Sequence, residues 1–217
     1  MEENSEASML RFDDSGDETL TSQEALREME AAWLNEKFAP EILPHQSDLV
    51  DCMLQQISHM EENIKKLDKS DLRVIIHRME LDRIRYLVCN YLRIRLEKIE
   101  RYVIHILSQE ARRSSEDGYL NSRELRMAKE YLSHLETLFR GVALQHMPAN
   151  FQEFTVKDLT VMPNMHSHVF LRAAKNISGI ILTEAMDEEI NFEEGSQHII
   201  RYGAVADLVK NRDVQLI

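Results

Sequence analysis

LRVIIHRMELDRIRYLVCNYLRIRLEKIERYVIHILSQ, residues 72–109, contains neither glycine nor proline and repeats its apolar residues at intervals of three and four. Leu81, Ile84, Val88, Leu92, Leu96, Ile99, Val103 and Ile106 fall on one stripe of a single long helix, while Ile76, Met79, Tyr86, Leu87, Tyr91 and Ile94 fall on other faces. A helix on the surface of a globular protein needs one apolar stripe, turned to its core. A helix with more is covered on more than one side, either at the centre of a bundle or against another protein. The segment therefore makes the chain mainly helical and raises the question of what covers it.

Three further helices surround this one in the sequence. Thr21-x-x-Glu24 has capping-box spacing, in which the two side chains satisfy free amides at a helix start, and Leu26, Met29 and Trp33 follow at three and four, predicting a helix to about Phe38. Pro40 and Pro44 bracket a connector, because proline lacks the amide that an interior turn needs. Ser47 or Asp48 is expected to cap the next helix, with a stripe of Val50, Met53, Leu54, Ile57, Met60, Ile64 and Leu67. Asn121-x-x-Glu124 opens the last, where Leu125, Ala128, Leu132, Leu135, Phe139 and Val142 form a narrow seam suited to packing on another helix. Together they predict a four-helix domain over 21–147.

Beyond Pro148 the pattern dissolves into a linker, 148–167, and then changes period. HVFLRA at 168–173, GIILT at 179–183, EINF at 189–192 and QHIIRY at 197–202 are short runs rich in β-branched and aromatic residues, punctuated by Gly179, Gly195 and Gly203, which is how strands and turns read. A short helix over 204–210 and a last strand at 214–217 complete a small β-rich domain over 168–217, too small to be robust alone. Residues 1–20 hold seven acids and one base and show no periodicity, so they read as a flexible acidic tail. Within it Met9, Leu10, Phe12, Asp13 and Asp14 make a short apolar-plus-acidic peptide able to dock on a partner.

Composition excludes several classes of function. The net charge of −12 leaves no basic field for stand-alone binding to a phosphate backbone. Cys52 and Cys89 form no CxxC, no apolar run approaches the ~20 residues of a membrane helix, and the acidic start does not read as a signal peptide. No two of the six glycines lie closer than eight residues, so no phosphate-cradling loop is present. None of the nine histidines follows a Glu by three, as a di-metal helical site requires. His166-x-His168 lacks a third ligand, and the run from Asp187 fails as a calcium loop because Phe192 occupies the glycine position. Neither a catalytic residue, a metal nor a cofactor is expected. The remaining constellation is Arg83, Arg85, Arg93, Arg95, Lys98 and Arg101 with Tyr86 and Tyr91, residue types that anchor protein interfaces, set against the bland alternative of pairing with Glu80, Glu97 and Glu100 on the same helix.

Several blocks carry a resemblance: WLNEKFAPEIL at 33–43, MEENIKKLDKSDL at 60–72, MELDRIRYLVCNYLRIRLEKIE at 79–100, ALQHMP at 143–148, HVFLR at 168–172, EEGSQHIIRY at 193–202 and the final VQLI. In this order the chain from 21 to 217 resembles the Sld-five family of GINS complex subunits, proteins of eukaryotic DNA replication. The resemblance implies a helical A domain followed by a GINS-type B domain. It also implies a non-catalytic place in a heterotetramer with three other GINS subunits, and a nuclear location. That tetramer would join the MCM helicase ring to the Cdc forty-five protein in the CMG helicase, with links to the leading-strand DNA polymerase and, through the tail, to a replisome hub. The alternatives are a generic helical adaptor in another complex and a helical enzyme with a site between helices. Expected partner contacts are Trp33, Phe38, Arg83, Arg85, Tyr86, Tyr91, Arg93, Ile94, Arg95, Leu216 and Ile217.

Overall fold

The computed structural model describes residues 21–67, 71–113, 118–152, 154, 159–183 and 186–217. Four long helices come first: α1 (Ser22–Phe38), α2 (Ser47–Lys66), α3 (Leu72–Glu110) and α4 (Ser122–Val142). After two short 3-10 turns the chain forms β1 (His168–Ala173), β2 (Ile177–Thr183), β3 (Met186–Phe192), β4 (Gln197–Arg201), α5 (Tyr202–Lys210) and β5 (Val214–Leu216). The fold is mainly α with a small antiparallel β-rich part at its C-terminal end, as the change of period predicts.

Both capping boxes form. Thr21 N donates to Glu24 Oε2 at 2.9 Å while Glu24 N donates to Thr21 Oγ1 at 3.3 Å, and Asn121 and Glu124 close the same reciprocal pair at the start of α4. The start of α2 differs from the expectation: Gln46 occupies the cap position without a side-chain capping bond to the helix start, and Ser47 is already helical. Asp48 in the first turn instead complements the helix dipole.

By contacts the described residues separate into two compact units, 21–34 with 46–92, and 35–45 with 93–217. In the first, Ala25 and Met29 of α1, Leu49, Val50, Met53 and Ile57 of α2, and Leu81, Ile84, Val88 and Tyr91 of α3 make one core. Fully burying side chains of this size stabilises a fold by about 1.5–3 kcal/mol each. Trp33 lies at its edge, donating Nε1–H to Asn90 Oδ1 at 3.2 Å and meeting the Tyr86 ring edge-on at 6.3 Å.

The second unit has two cores. Ile99, Val103 and Ile106 of α3 pack with Ile42, Leu120 and Ala128. The other is built on a three-stranded antiparallel sheet of order β4-β1-β5, with β2 and β3 paired as a separate hairpin. Val169, Leu171 and Ala173 point to one side of β1, where they meet Tyr202, Val205, Ala206 and Val209 of α5 and, from the connector between α1 and α2, Ala39 and Leu43. Gly195, with φ +81° between β3 and β4, takes a turn conformation that a side chain would strain.

The buried stripe of α3 departs from the expected one at two places. Leu92 and Leu96 are exposed, and the buried positions between Val88 and Ile99 are Tyr91 and Arg95. A charged residue in the buried register is why the hydropathy pattern points to the neighbouring leucines.

Candidate partner-binding surface

Segment 35–45, the end of α1 and the connector after it, ties into the second unit through buried and half-buried polar groups. Asn35 Oδ1 accepts a hydrogen bond from the backbone N–H of Leu216 at 2.7 Å. Arg95, 1% exposed, donates Nη1–H to Glu36 Oε2 at 3.1 Å and to the Leu43 carbonyl at 2.8 Å. Its other edge donates to both oxygens of Glu124, at 2.7 and 2.9 Å, and to the Tyr119 carbonyl at 2.8 Å. Lys98 Nζ donates to Glu36 Oε1 and to the Glu41 carbonyl, both at 2.8 Å. Glu41 in turn accepts from the Tyr202 hydroxyl and from Lys210 Nζ, each at 3.0 Å.

These groups perturb one another. Burial works to raise the Glu124 carboxyl, but the Arg95 hydrogen bonds and charge, with the Asn121 amide, outweigh it and hold the group below its ordinary value. Burial pushes the Lys98 ammonium down against the opposing pull of Glu36. Burial, then the adjacent Glu41 charge, pushes the Tyr202 hydroxyl far up. A buried ion pair adds little net stability, yet losing one member leaves a charge stranded. The network therefore fixes geometry.

Arg95 is accordingly corrected from an expected surface contact to an internal tie. Tyr91 is likewise buried in the first unit's core, and Leu216 is fully buried in the second. The half-exposed Ile217 has its amide donating to the Phe170 carbonyl at 3.0 Å. Arg83 pairs with Glu30 and Glu80, at 2.7 and 2.8 Å. Arg85 pairs with Glu61 and with Asp82. Phe38, Tyr86 and Arg93 are exposed, while Trp33 and Ile94 are half-buried. Met9, Leu10, Phe12, Asp13 and Asp14 lie outside the described residues.

On α3 and α4 two rows of the uncovered surface are apolar. In the first unit Leu72, Ile75, Ile76 and Met79 stand at i, i+3, i+4 and i+7 of α3, 67%, 57%, 56% and 68% exposed, and Tyr86 continues the row one heptad on. At 100° per residue this row lies on the far side of α3 from Leu81, Ile84 and Val88. The helix thus presents two opposed apolar faces, one buried by α1 and α2 and one open.

In the second unit the α4 seam runs out of cover. Ala128 is buried, Leu132 and Leu135 are half-buried, and Leu138, Phe139 and Val142 are exposed. The seam is expected to suit packing on another helix, and at this end the described residues of the second unit leave it exposed. Beside it a cavity of about 230 Å³ opens where Tyr102 breaks helical geometry, lined by Tyr131, Leu135, Phe139, Leu159 and Val161. Open apolar rows of this kind mark protein contact sites. Ile76 and Met79 were legible as surplus apolar positions, whereas Asn35, Glu36 and Glu41 carry no local signal because their partners lie far away in the chain.

Among the described residues, no group of three or more His, Cys, Asp or Glu is placed to hold a metal ion, and no helix is long and apolar enough to cross a membrane. A family model described as the GINS complex protein helical bundle domain matches residues 49–143, and one described as the DNA replication complex GINS protein SLD5 C-terminus matches 163–217. The chain is similar to the DNA replication complex GINS protein SLD5 of Rattus norvegicus, 46% identical with 91% of each chain covered. It is similar in the same way to those of Homo sapiens, at 42% with 91% of each covered, and Arabidopsis thaliana, at 33% with 92% of this chain and 94% of the relative covered. Uncovered helix faces, a helical-bundle match, a C-terminal match and relatives aligned over almost the whole length agree, and the chain belongs to the SLD5 family of GINS proteins.

Proposed function

We propose that the chain is a non-catalytic structural subunit that assembles with three other GINS subunits in the nucleus. The tetramer bridges the MCM ring and the Cdc forty-five protein in the CMG helicase, supporting initiation and fork progression, and contacts the leading-strand polymerase. The observation that supports this reading is the open row Leu72, Ile75, Ile76 and Met79, apolar surface that the described residues of the first unit leave exposed. Helix faces of sister subunits supply its cover, with the end of α4 as a second seam. In this reading 21–147 and 168–217 act as the A and B domains, joined by 148–167. Segment 1–20 serves a separate contact with a replisome hub through Met9, Leu10, Phe12, Asp13 and Asp14.

Co-expression of the four subunits with the double substitution Ile76→Asp/Met79→Asp tests the reading. The variant is expected to keep its far-UV helicity but to drop out of the purified tetramer, and to take the MCM and Cdc forty-five proteins with it. Retention of the variant at full stoichiometry contradicts the assembly role of this face. Deleting residues 1–20 is expected to leave assembly unchanged.

A further inference from the structure

The outer face of the β4-β1-β5 sheet has a character opposite to that of the chain as a whole. Alternation along β1 turns Val169, Leu171 and Ala173 inward and leaves His168, Phe170 and Arg172 exposed. Antiparallel pairing sets Phe170 directly opposite Ile199, His168 opposite Arg201, and Arg172 opposite Gln197 and Gln215. Phe170 and Ile199 are 58% and 60% exposed, so an apolar pair sits uncovered in the middle of the face. Arg201 and Arg172 bracket it, one at each end. Among the described residues neither guanidinium has an ion-pair or hydrogen-bond partner, and no Asp or Glu lies on these three strands. In a chain of net charge −12 this is a local island of positive charge around an apolar centre.

We propose that this face docks an extended acidic peptide of a partner protein, one in which an apolar side chain is flanked two residues away on each side by a carboxylate. The spacing follows from strand geometry. His168 and Arg172 are four positions apart, and at ~3.3 Å per residue the two arginine-bearing ends are separated by roughly 13 Å along the strand direction. An extended peptide places its residues i and i+4 at that same separation and turns i, i+2 and i+4 to one side. Its central apolar side chain covers Phe170 and Ile199 while its outer carboxylates meet Arg201 and Arg172, the guanidinium fork being suited to a planar carboxylate. A single-stranded nucleic acid fits less well. Stacking platforms present successive aromatic faces to successive bases, and here the central Phe170 ring is paired across the strands with Ile199, with the His168 imidazole the other ring on the face. The acidic chain also repels a long polyanion more than it repels two carboxylates.

The test uses the full chain, co-purified with the other GINS subunits, and a fluorescein-labelled peptide containing Asp-Ser-Leu-Ser-Asp, read by fluorescence anisotropy. Saturable binding is expected, weakened at least about tenfold by Arg172→Glu/Arg201→Glu and by Phe170→Ser, and weakened by added salt as an exposed charge contact must be. Both sets of substitutions lie on exposed positions, and unchanged circular dichroism confirms that they leave the fold intact. Replacing the peptide's leucine by serine is expected to abolish binding. The proposal is overturned by binding that ignores the arginine reversals or the lost leucine, by binding of oligothymidylate in place of the peptide, or by the absence of any binding.

Discussion

Asn35 and Leu216 are joined by a side-chain-to-backbone hydrogen bond of 2.7 Å between buried groups, across 181 positions of sequence. Near the end of the first helix, an amide oxygen thus receives the last strand of the chain. Removing it leaves a buried N–H without its acceptor, at a cost of about 1–3 kcal/mol. Asn35→Ala is expected to lower the free energy of unfolding by that amount and to speed hydrogen exchange selectively at the Leu216 amide. Unchanged protection at that amide would show that the bond does not hold the strand.

Arg95 separates an internal role from a surface one. Arg95→Met takes the guanidinium away from Glu124 and leaves Glu36 only its Lys98 partner, and is expected to cost about 3–5 kcal/mol. Arg95→Glu adds like charges and is expected to prevent folding of the second unit. Arg93→Glu, on an exposed position, is expected to leave thermal stability within about 0.5 kcal/mol of the parent. Comparable losses for the two residues, by calorimetry, would contradict the burial of Arg95.

Glu124 gives the network an acid limit. Its carboxyl titrates below the ordinary value in the folded chain, so the unfolded chain binds the proton first as pH falls. The stability contributed by this group is fully present above the unfolded value near 4.3 and is lost as pH drops through the lower folded value. Glu124→Gln is expected to be less stable at neutral pH and to show a flatter decline on acidification. Parallel acid limbs for the two proteins would exclude Glu124 as a contributor.

The α4 seam predicts a gradient. Leu135→Asp, at a half-buried position lining the cavity, is expected to cost about 1–3 kcal/mol. Leu138→Ser and Val142→Ser, both exposed, are expected to change the stability of the chain by less than about 0.5 kcal/mol. Urea titration checks the order. Equal losses along the helix would mean that its far end is covered within the chain.

Element boundaries were legible in the sequence because their causes are local. Thr21 with Glu24 and Asn121 with Glu124 announce their helix starts, Pro40 marks the break that follows α1, and HVFLRA at 168–173 coincides with β1, whereas α4 ends at Val142, six residues before Pro148. What periodicity cannot state is which element covers an apolar face. The row Leu125, Ala128, Leu132, Leu135, Phe139 and Val142 reads as one seam, yet burial fades along it from Ala128 to the exposed Phe139 and Val142. Nor does a hydropathy pattern admit an arginine to a core. Arg95 is buried because Glu36, Glu124 and two carbonyls converge on it from segments 24 to 59 residues away. Those partners carry no mark in the local sequence.

The central claim is that this chain carries more apolar helix surface than it can cover, and that sister subunits cover the rest. Sedimentation velocity of the chain alone and after co-expression with the three other GINS subunits tests it most directly. Self-association or insolubility alone, replaced by a single 1:1:1:1 species on co-expression, is the predicted result. A soluble, fully folded monomer that ignores the other subunits would contradict it.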